Sequence, residues 1–256
     1  MSYFERLGPT SFRATEHVGG AWNEAEQHIA PALGLIAHVI ECDRDARRDD
    51  DLVIGRLSYD ILGTVPVGPV VTTVEVLRPG RTIELVEATL AYDGRAIVRA
   101  RAWLMETRPT LGIAGTALQP IPSPEDCEPW DPTTLWPGGF IDSVEVRRVS
   151  TAPGRASFWV RTDIPLVEGE KISDLAATAG LFDIANGMAV RADPRTVAFP
   201  NLDLTAHLFT EPHGEWVGFD TSVSFGTDGI GLTSTVLHDA TGPIGTMSQI
   251  LTVRPI

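Results

Sequence analysis

Two stretches of this 256-residue chain run through the same order of elements, and that repetition limits the fold more than any motif does. In the first, Ser11–Trp22 reads as extended, and a helix follows over Pro31–Glu41, with Leu33, Leu35, Ile36, Val39 and Ile40 on its apolar side. Proline breaks a helix interior but fits the first turn, so Pro31 marks the predicted start. Four strands rich in Val, Ile, Thr and Tyr come next, Leu52–Leu62, Val70–Leu77, Thr82–Tyr92 and Ala96–Thr107, separated by PVGP, RPGR and YDGR turns. In the second stretch strands are predicted at Phe140–Val149 and Arg155–Thr162. Ser173 caps a helix over Asp174–Asn186 that ends at Gly187. Strands then recur at Asn201–Phe209, Glu215–Phe225, Gly229–Asp239 and Ile244–Arg254. The two series correspond at an offset of about 146 residues, a period too long for a solenoid unit and in keeping with a duplicated domain.

A helix followed by about four long antiparallel strands, twice over, implies an α+β architecture of two antiparallel sheets, each wrapped around a central helix. In LDLTAHLF the alternation puts Leu202, Leu204, Ala206 and Leu208 on one face and Asp203, Thr205 and His207 on the other. The segment between the repeats, rich in proline (PIPSPEDCEPWDP), resists regular structure, and its Trp130 and Trp136 are expected to pack it down. The division expected is 1–107, a linker over 108–139, and 140–256.

Three polar residues lie on successive strand-like segments of the second repeat: Asp203, Ser224 in GFDTSVSFG, and Gln249 in TMSQILTVR. An acid, a hydroxyl and an amide meeting on one sheet can hold and deprotonate a water molecule. That chemistry suits a hydrolase with water as the attacking group, without a covalent nucleophile, a metal or a cofactor. Gln249 is flanked on its own face by Met247 and Leu251, so its amide needs buried partners. Ser222 and Thr221 neighbour Ser224, and a small register slip would change which hydroxyl faces the site. Corresponding positions in the first repeat fall near Ser58, Val76 and Ala102, with neither carboxylate nor amide, so one centre per chain is expected. Asp183 and Asn186 stand late in the second helix, where an acid could also serve, though a C-terminal role accounts for Asn186. Asp49-Asp50-Asp51 lacks the spacing of a metal loop, Cys42 and Cys127 lack a catalytic context, and no GxSxG, GxGxxG or HExxH occurs.

Acidic residues outnumber basic ones, 34 to 20, giving a formal charge of −14. Nucleic-acid contact needs a basic face and is disfavoured. A phosphate-bearing ligand would need local arginines, for which Arg147, Arg148 and Arg155 are ordinary candidates. No apolar run is long enough for a bilayer, and MSYFERLGPTSF lacks the make-up of a signal peptide. With two cysteines and no disulfide framework, a cytoplasmic setting is the default expectation.

The whole chain resembles the double-hotdog acyl-CoA thioesterases of the thioesterase II type, most sharply from Asn201 to Arg254. In that family an Asp, a Ser or Thr, and a Gln on three strands of the C-terminal hotdog activate water, and the resemblance carries these roles onto Asp203, Ser224 and Gln249. GGAWNEAEQHIAPALGLIAHVIE is similar to the stretch that opens the family's first hotdog helix. Ile29 and Ala30 stand where two glycines are usual, and the resemblance implies that their backbone N–H groups face the thioester oxygen. His28, beside them, is a candidate for substrate contact. The resemblance further implies an acyl-CoA substrate, no cofactor, no membrane or nucleic-acid partner, and a homo-oligomer. The reading from a different class is a non-catalytic hotdog protein that binds acyl-CoA or a fatty-acyl ligand.

Overall fold

The computed structural model describes residues 1–149 and 152–256. The strands in chain order are β1 Phe4–Arg6, β2 Ser11–Ala14, β3 Leu52–Ile61, β4 Pro69–Arg78, β5 Ile83–Tyr92, β6 Arg95–Glu106, β7 Glu128–Trp130 and β8 Val144–Val149. They continue with β9 Arg155–Thr162, β10 Val197–Ala198, β11 Asp203–Leu208, β12 Val217–Phe225, β13 Ile230–Asp239, β14 Gly242–Thr252 and β15 Arg254–Pro255. The α-helical segments are α1 Ile29–Arg47, α2 Gly139–Asp142, α3 Asp174–Ala179 and α4 Ala185–Met188.

Val, Ile and Thr alternating with polar residues bury one face of each long strand, and the structure reproduces that alternation, as in β5 and β14. The expected pair of separate sheets is instead one antiparallel sheet of 13 strands, ordered β1-β2-β4-β5-β6-β3-β11-β14-β13-β12-β9-β8-β7. The fusion has a direct cause. The innermost strand of each half, β3 and β11, would otherwise expose an unpaired edge. They pair in register, Tyr59 opposite Leu204 and Ser58 opposite Thr205, and the hydroxyls of the latter two lie 2.9 Å apart. β5 and β13, ten residues each, stand 147 positions apart, and the strand order is mirrored about the β3–β11 junction.

α1 starts at Ile29 rather than Pro31, because His28 is its N-cap and accepts the Ala30 N–H on Nδ1 at 3.2 Å. Every residue from Ala30 to Ile40 is buried, and α1 packs against α3 as well as against β4 and β5 of the sheet. Ser173 caps α3 as expected, accepting from Ala176 N–H. The single helix expected over 174–186 is broken, however: α3 stops at Ala179, a 3₁₀ turn covers Phe182–Ile184, and α4 follows. The break falls at Gly180, a weak helix former, where the second half's helical segment meets α1. A Cβ on Gly34 of α1 would lie 2.7 Å from the Gly180 Cα, so only glycine permits this crossing.

Three smaller expectations change. Ser11–Trp22 is extended only to Ala14 before a 3₁₀ turn at Glu16–Val18. Phe140–Val149 begins as the α2 turn and becomes a strand at Val144. The proline-rich segment carries β7, which adds a last strand to the sheet edge against β8. Its Trp136 is buried and donates from Nε1 to the Gly187 carbonyl at 2.8 Å, tying the segment to the end of α4.

Candidate active site

The pleat of β14 turns Met247, Gln249 and Leu251 toward the helices and Ser248 and Ile250 outward. Gln249 is therefore a fully buried amide on an apolar face. Its Nε2 donates to Asp183 Oδ1 at 3.0 Å, and Asn201 Nδ2 donates to the same oxygen at 2.6 Å. Since a carboxylate only accepts, both amides must present their nitrogens to it, which fixes their orientation. Asp183 lies on the 3₁₀ turn created by the helix break, and Asn201 just precedes β11.

Burial raises the Asp183 carboxyl from its ordinary 3.8 to about 7, against the opposing pull of the Asn201 and Gln249 donors. Its second oxygen, Oδ2, stands 4.0 Å from His28 Nδ1. Burial depresses His28 to about 3, so the ring is neutral and the contact is not an ion pair. Nδ1 is already the acceptor for Ala30 N–H, which places the ring proton on Nε2. The imidazole is held against Phe140, ring centroids 4.3 Å apart.

Asp183, Asn201 and His28 form one wall of a cavity of about 340 Å³, and Gln249 supports Asp183 from behind it. The rest of its lining is largely apolar, including Trp22, Ile61, Leu62, Trp136 and Met188. Trp22 meets Trp136 edge-on at 4.9 Å and Phe199 at 5.4 Å. Ile29, the first residue of α1, also lines the cavity. The first N–H groups of a helix have no intrahelical acceptor and sit at the positive end of its dipole. His28 takes the Ala30 N–H, and the Ile29 N–H makes no backbone hydrogen bond among the described residues. The cavity thus lies between the halves: the acid and amides come from the second, the helix end from the first. Among the described residues no group of three or more His, Cys, Asp or Glu side chains is placed to hold a metal ion.

Of the three residues expected to converge, only Gln249 reaches this site. Asp203 faces the other side of the sheet, where its Oδ1 accepts the Ile250 N–H at 2.7 Å. Ser224 is exposed on that outer face, in the row of Leu232 and Ile250. The pleat is the reason: the row that does face inward at this level holds Val223, Thr233 and Gln249. The side chains that Gln249 does meet there are Asp183 and, on the same carboxyl oxygen, Asn201. An acid set among apolar residues in LFDIANGM was the available signal for the first; nothing in PNLD separated Asn201 from Asp203. The arginines considered for phosphate contact are engaged locally: Arg147 with Glu145, Arg155 with Asp220, and Arg148 over the Trp130 ring at 3.7 Å.

Among the described residues the first half has no equivalent site. At the 147-residue offset Gln249 corresponds to Ala102, and Asp183 falls on the Ile36–Ala37 stretch of α1, all buried and apolar.

Comparison with known proteins places these features in a family. Residues 18–105 match the model of the acyl-CoA thioesterase N-terminal domain, and residues 124–253 that of the acyl-CoA thioesterase C-terminal domain. No curated protein matches the chain. Among solved structures, a conserved protein of unknown function with a hot dog fold from Alicyclobacillus acidocaldarius is 14% identical, with TM-score 0.76 over 97% of this chain and 95% of that one. A provisionally assigned thioesterase II from Thermobifida fusca is 21% identical, with TM-score 0.73 over 98% and 95%. The acyl-CoA thioesterase II TesB2 of Mycobacterium marinum is 17% identical, with TM-score 0.71 over 99% and 96%. At these identities the likeness shows the fold, a hotdog fold.

Proposed function

Because the chain belongs to the acyl-CoA thioesterase family, with the N-terminal and C-terminal domains in order, we propose that it hydrolyses the thioester of an acyl-CoA by direct attack of water. The observation that carries this reading is the buried Asp183 carboxyl, clasped on one oxygen by two amides and open on the other toward an apolar cavity.

The acyl chain occupies the cavity, with the thioester carbonyl toward Asp183 and the start of α1. Asp183 Oδ2 takes a proton from the water as it attacks the carbonyl carbon. A base near neutrality balances ionisation against proton affinity, and the value of about 7 suits that task. Asn201 and Gln249 keep Oδ1 occupied, so the remaining lone pairs of the carboxylate point at the reactant. Negative charge on the carbonyl oxygen meets the Ile29 N–H at the positive end of α1, a type of donor worth about 3 kcal/mol. The tetrahedral intermediate collapses with cleavage of the carbon–sulfur bond, and the departing thiolate receives the proton that Asp183 took up. A homo-oligomer remains part of this reading, checked by sedimentation of the purified protein.

The test is to mix the protein with medium- and long-chain acyl-CoA and follow free thiol. Thiol release that disappears in Asp183→Asn supports the reading, and release undiminished in that variant refutes it. The non-catalytic binding reading keeps one specific support: His28 occupies the Ala30 N–H, leaving a single backbone donor where two were expected. Saturable acyl-CoA binding without thiol release would favour it.

A further inference from the structure

Beside Gln249 lies a second buried polar group that the mechanism above does not use. Thr233 of β13 is directly opposite Gln249 of β14 and is fully buried. Two side-chain atoms of this cross-strand pair, Thr233 Oγ1 and Gln249 Oε1, are buried without a hydrogen-bond partner among the described residues. The neighbouring hydroxyls do not share the problem, since Thr221 and Thr235 bond each other at 2.9 Å.

The duplicated half supplies an internal control. Val86 and Ala102 are the same cross-strand pair there, in the same register, and both are buried and apolar. Valine is nearly isosteric with threonine, so the sheet at this position needs no hydroxyl to pack. A buried hydroxyl left without a partner opposes folding. Thr233 stands only in the half that carries the acid and the amides, opposite the amide that reaches Asp183.

We propose that Thr233 is a positioning residue of the hydrolytic site, its hydroxyl serving the Gln249 carbonyl oxygen directly or through one shared water and so holding the amide nitrogen on Asp183. Opposite residues in an antiparallel pair have Cβ atoms within about 5.5 Å, a span that a threonine rotamer or a single bridging water closes. A hydrogen bond accepted by the amide oxygen polarises the amide and strengthens its N–H as a donor. It also prevents the side chain from turning its oxygen toward the carboxylate. The inference rests on the role proposed for Asp183.

The experiment compares wild type, Thr233→Val, Thr233→Ser and Asp183→Asn. Kinetics of thiol release from one acyl-CoA are measured across pH, and the Asp183 carboxyl is titrated by carbon-13 NMR in wild type and Thr233→Val. The expected result for Thr233→Val is a fall in kcat of about tenfold with KM unchanged. Asp183 should titrate at higher pH, because a weaker donor stabilises its ionised form less, and the acid limb of the rate profile should move up with it. Thr233→Ser should restore both. Val86 indicates that valine packs at this position, and thermal melting verifies it. Wild-type kcat and an unmoved Asp183 titration in Thr233→Val, with Asp183→Asn inactive, would overturn this role and leave the hydrolytic reading standing. Full activity in Asp183→Asn would overturn the hydrolytic reading itself.

Discussion

Replacing Asp183 by Asn separates catalysis from stability, because the two should respond in opposite directions. The variant keeps an oxygen for the Asn201 and Gln249 donors and removes the group placed to take a proton. Turnover should fall at least about a hundredfold. Stability follows from linkage. In the unfolded chain the carboxyl releases its proton near its ordinary 3.8, and in the native state only near 7. Between those values the native state holds the extra proton, so wild-type stability declines as pH rises, then levels off above about 7. The full span corresponds to about 4 kcal/mol, of which more than half falls between pH 5 and pH 8. The amide of the variant does not titrate. Urea unfolding of both proteins at those two pH values should show the variant gaining about 2–3 kcal/mol on wild type at the higher one. Contributions from other titrating groups, such as the His38–Glu170 pair, cancel in the difference. A stability difference that does not change with pH would refute the buried, late-titrating carboxyl and the mechanism built on it.

Asn201→Ala and Gln249→Ala each remove a donor that favours the Asp183 carboxylate, so each should cut kcat/KM by about tenfold or more and move the acid limb of the pH–rate profile upward. Asp203→Asn and Ser224→Ala should leave turnover within about twofold: the asparagine oxygen can still accept the Ile250 N–H, and an exposed serine costs within about 0.5 kcal/mol to lose. Gly34→Ala drives a methyl group into the Gly180 backbone, which should destabilise the protein by about 1–3 kcal/mol and lower kcat by widening the gap between the α1 start and Asp183. Denaturant melts and thiol-release kinetics on the same preparations check all three.

Strands were the readable part of this chain because alternation and turn chemistry agree locally. The pattern predicts Arg155–Thr162 to the residue and Leu52–Ile61 to within one. The start of α1 escapes the sequence rules because the cap is a histidine nitrogen, whereas those rules look for Ser, Thr, Asp or Asn. The site was harder, yet part of its error was visible in the pattern itself. Asp203 alternates with Leu204 and shares its face with Thr205 and His207, while Gln249 shares its face with Met247 and Leu251. One set is polar and the other apolar, and neighbouring strands of one sheet keep their faces in common. A carboxylate on the first and an amide on the second could not both look into the same crevice. Asp183 was obscured for another reason: the break at Gly180 resets the helical phase, so a 3.6-residue period carried on from Asp174 no longer says where residue 183 points.

The asymmetry between the halves explains why the duplication is kept as one chain with one sheet. The first half contributes a long, intact helix whose start supplies the cap, the free N–H and part of the apolar wall. In the second half the corresponding helix is broken, and the break turns a carboxyl into the space between the helices. An unbroken second helix would leave this position in regular helical geometry, as Ile36 and Ala37 are in the first half, where both are buried against apolar neighbours. Neither half alone has both parts. The β3–β11 pairing and the Gly34–Gly180 crossing hold them together, so the distance between helix start and carboxyl is set by backbone contacts rather than by side chains. A site positioned that way tolerates change in its apolar lining but not at the two glycines that set the spacing.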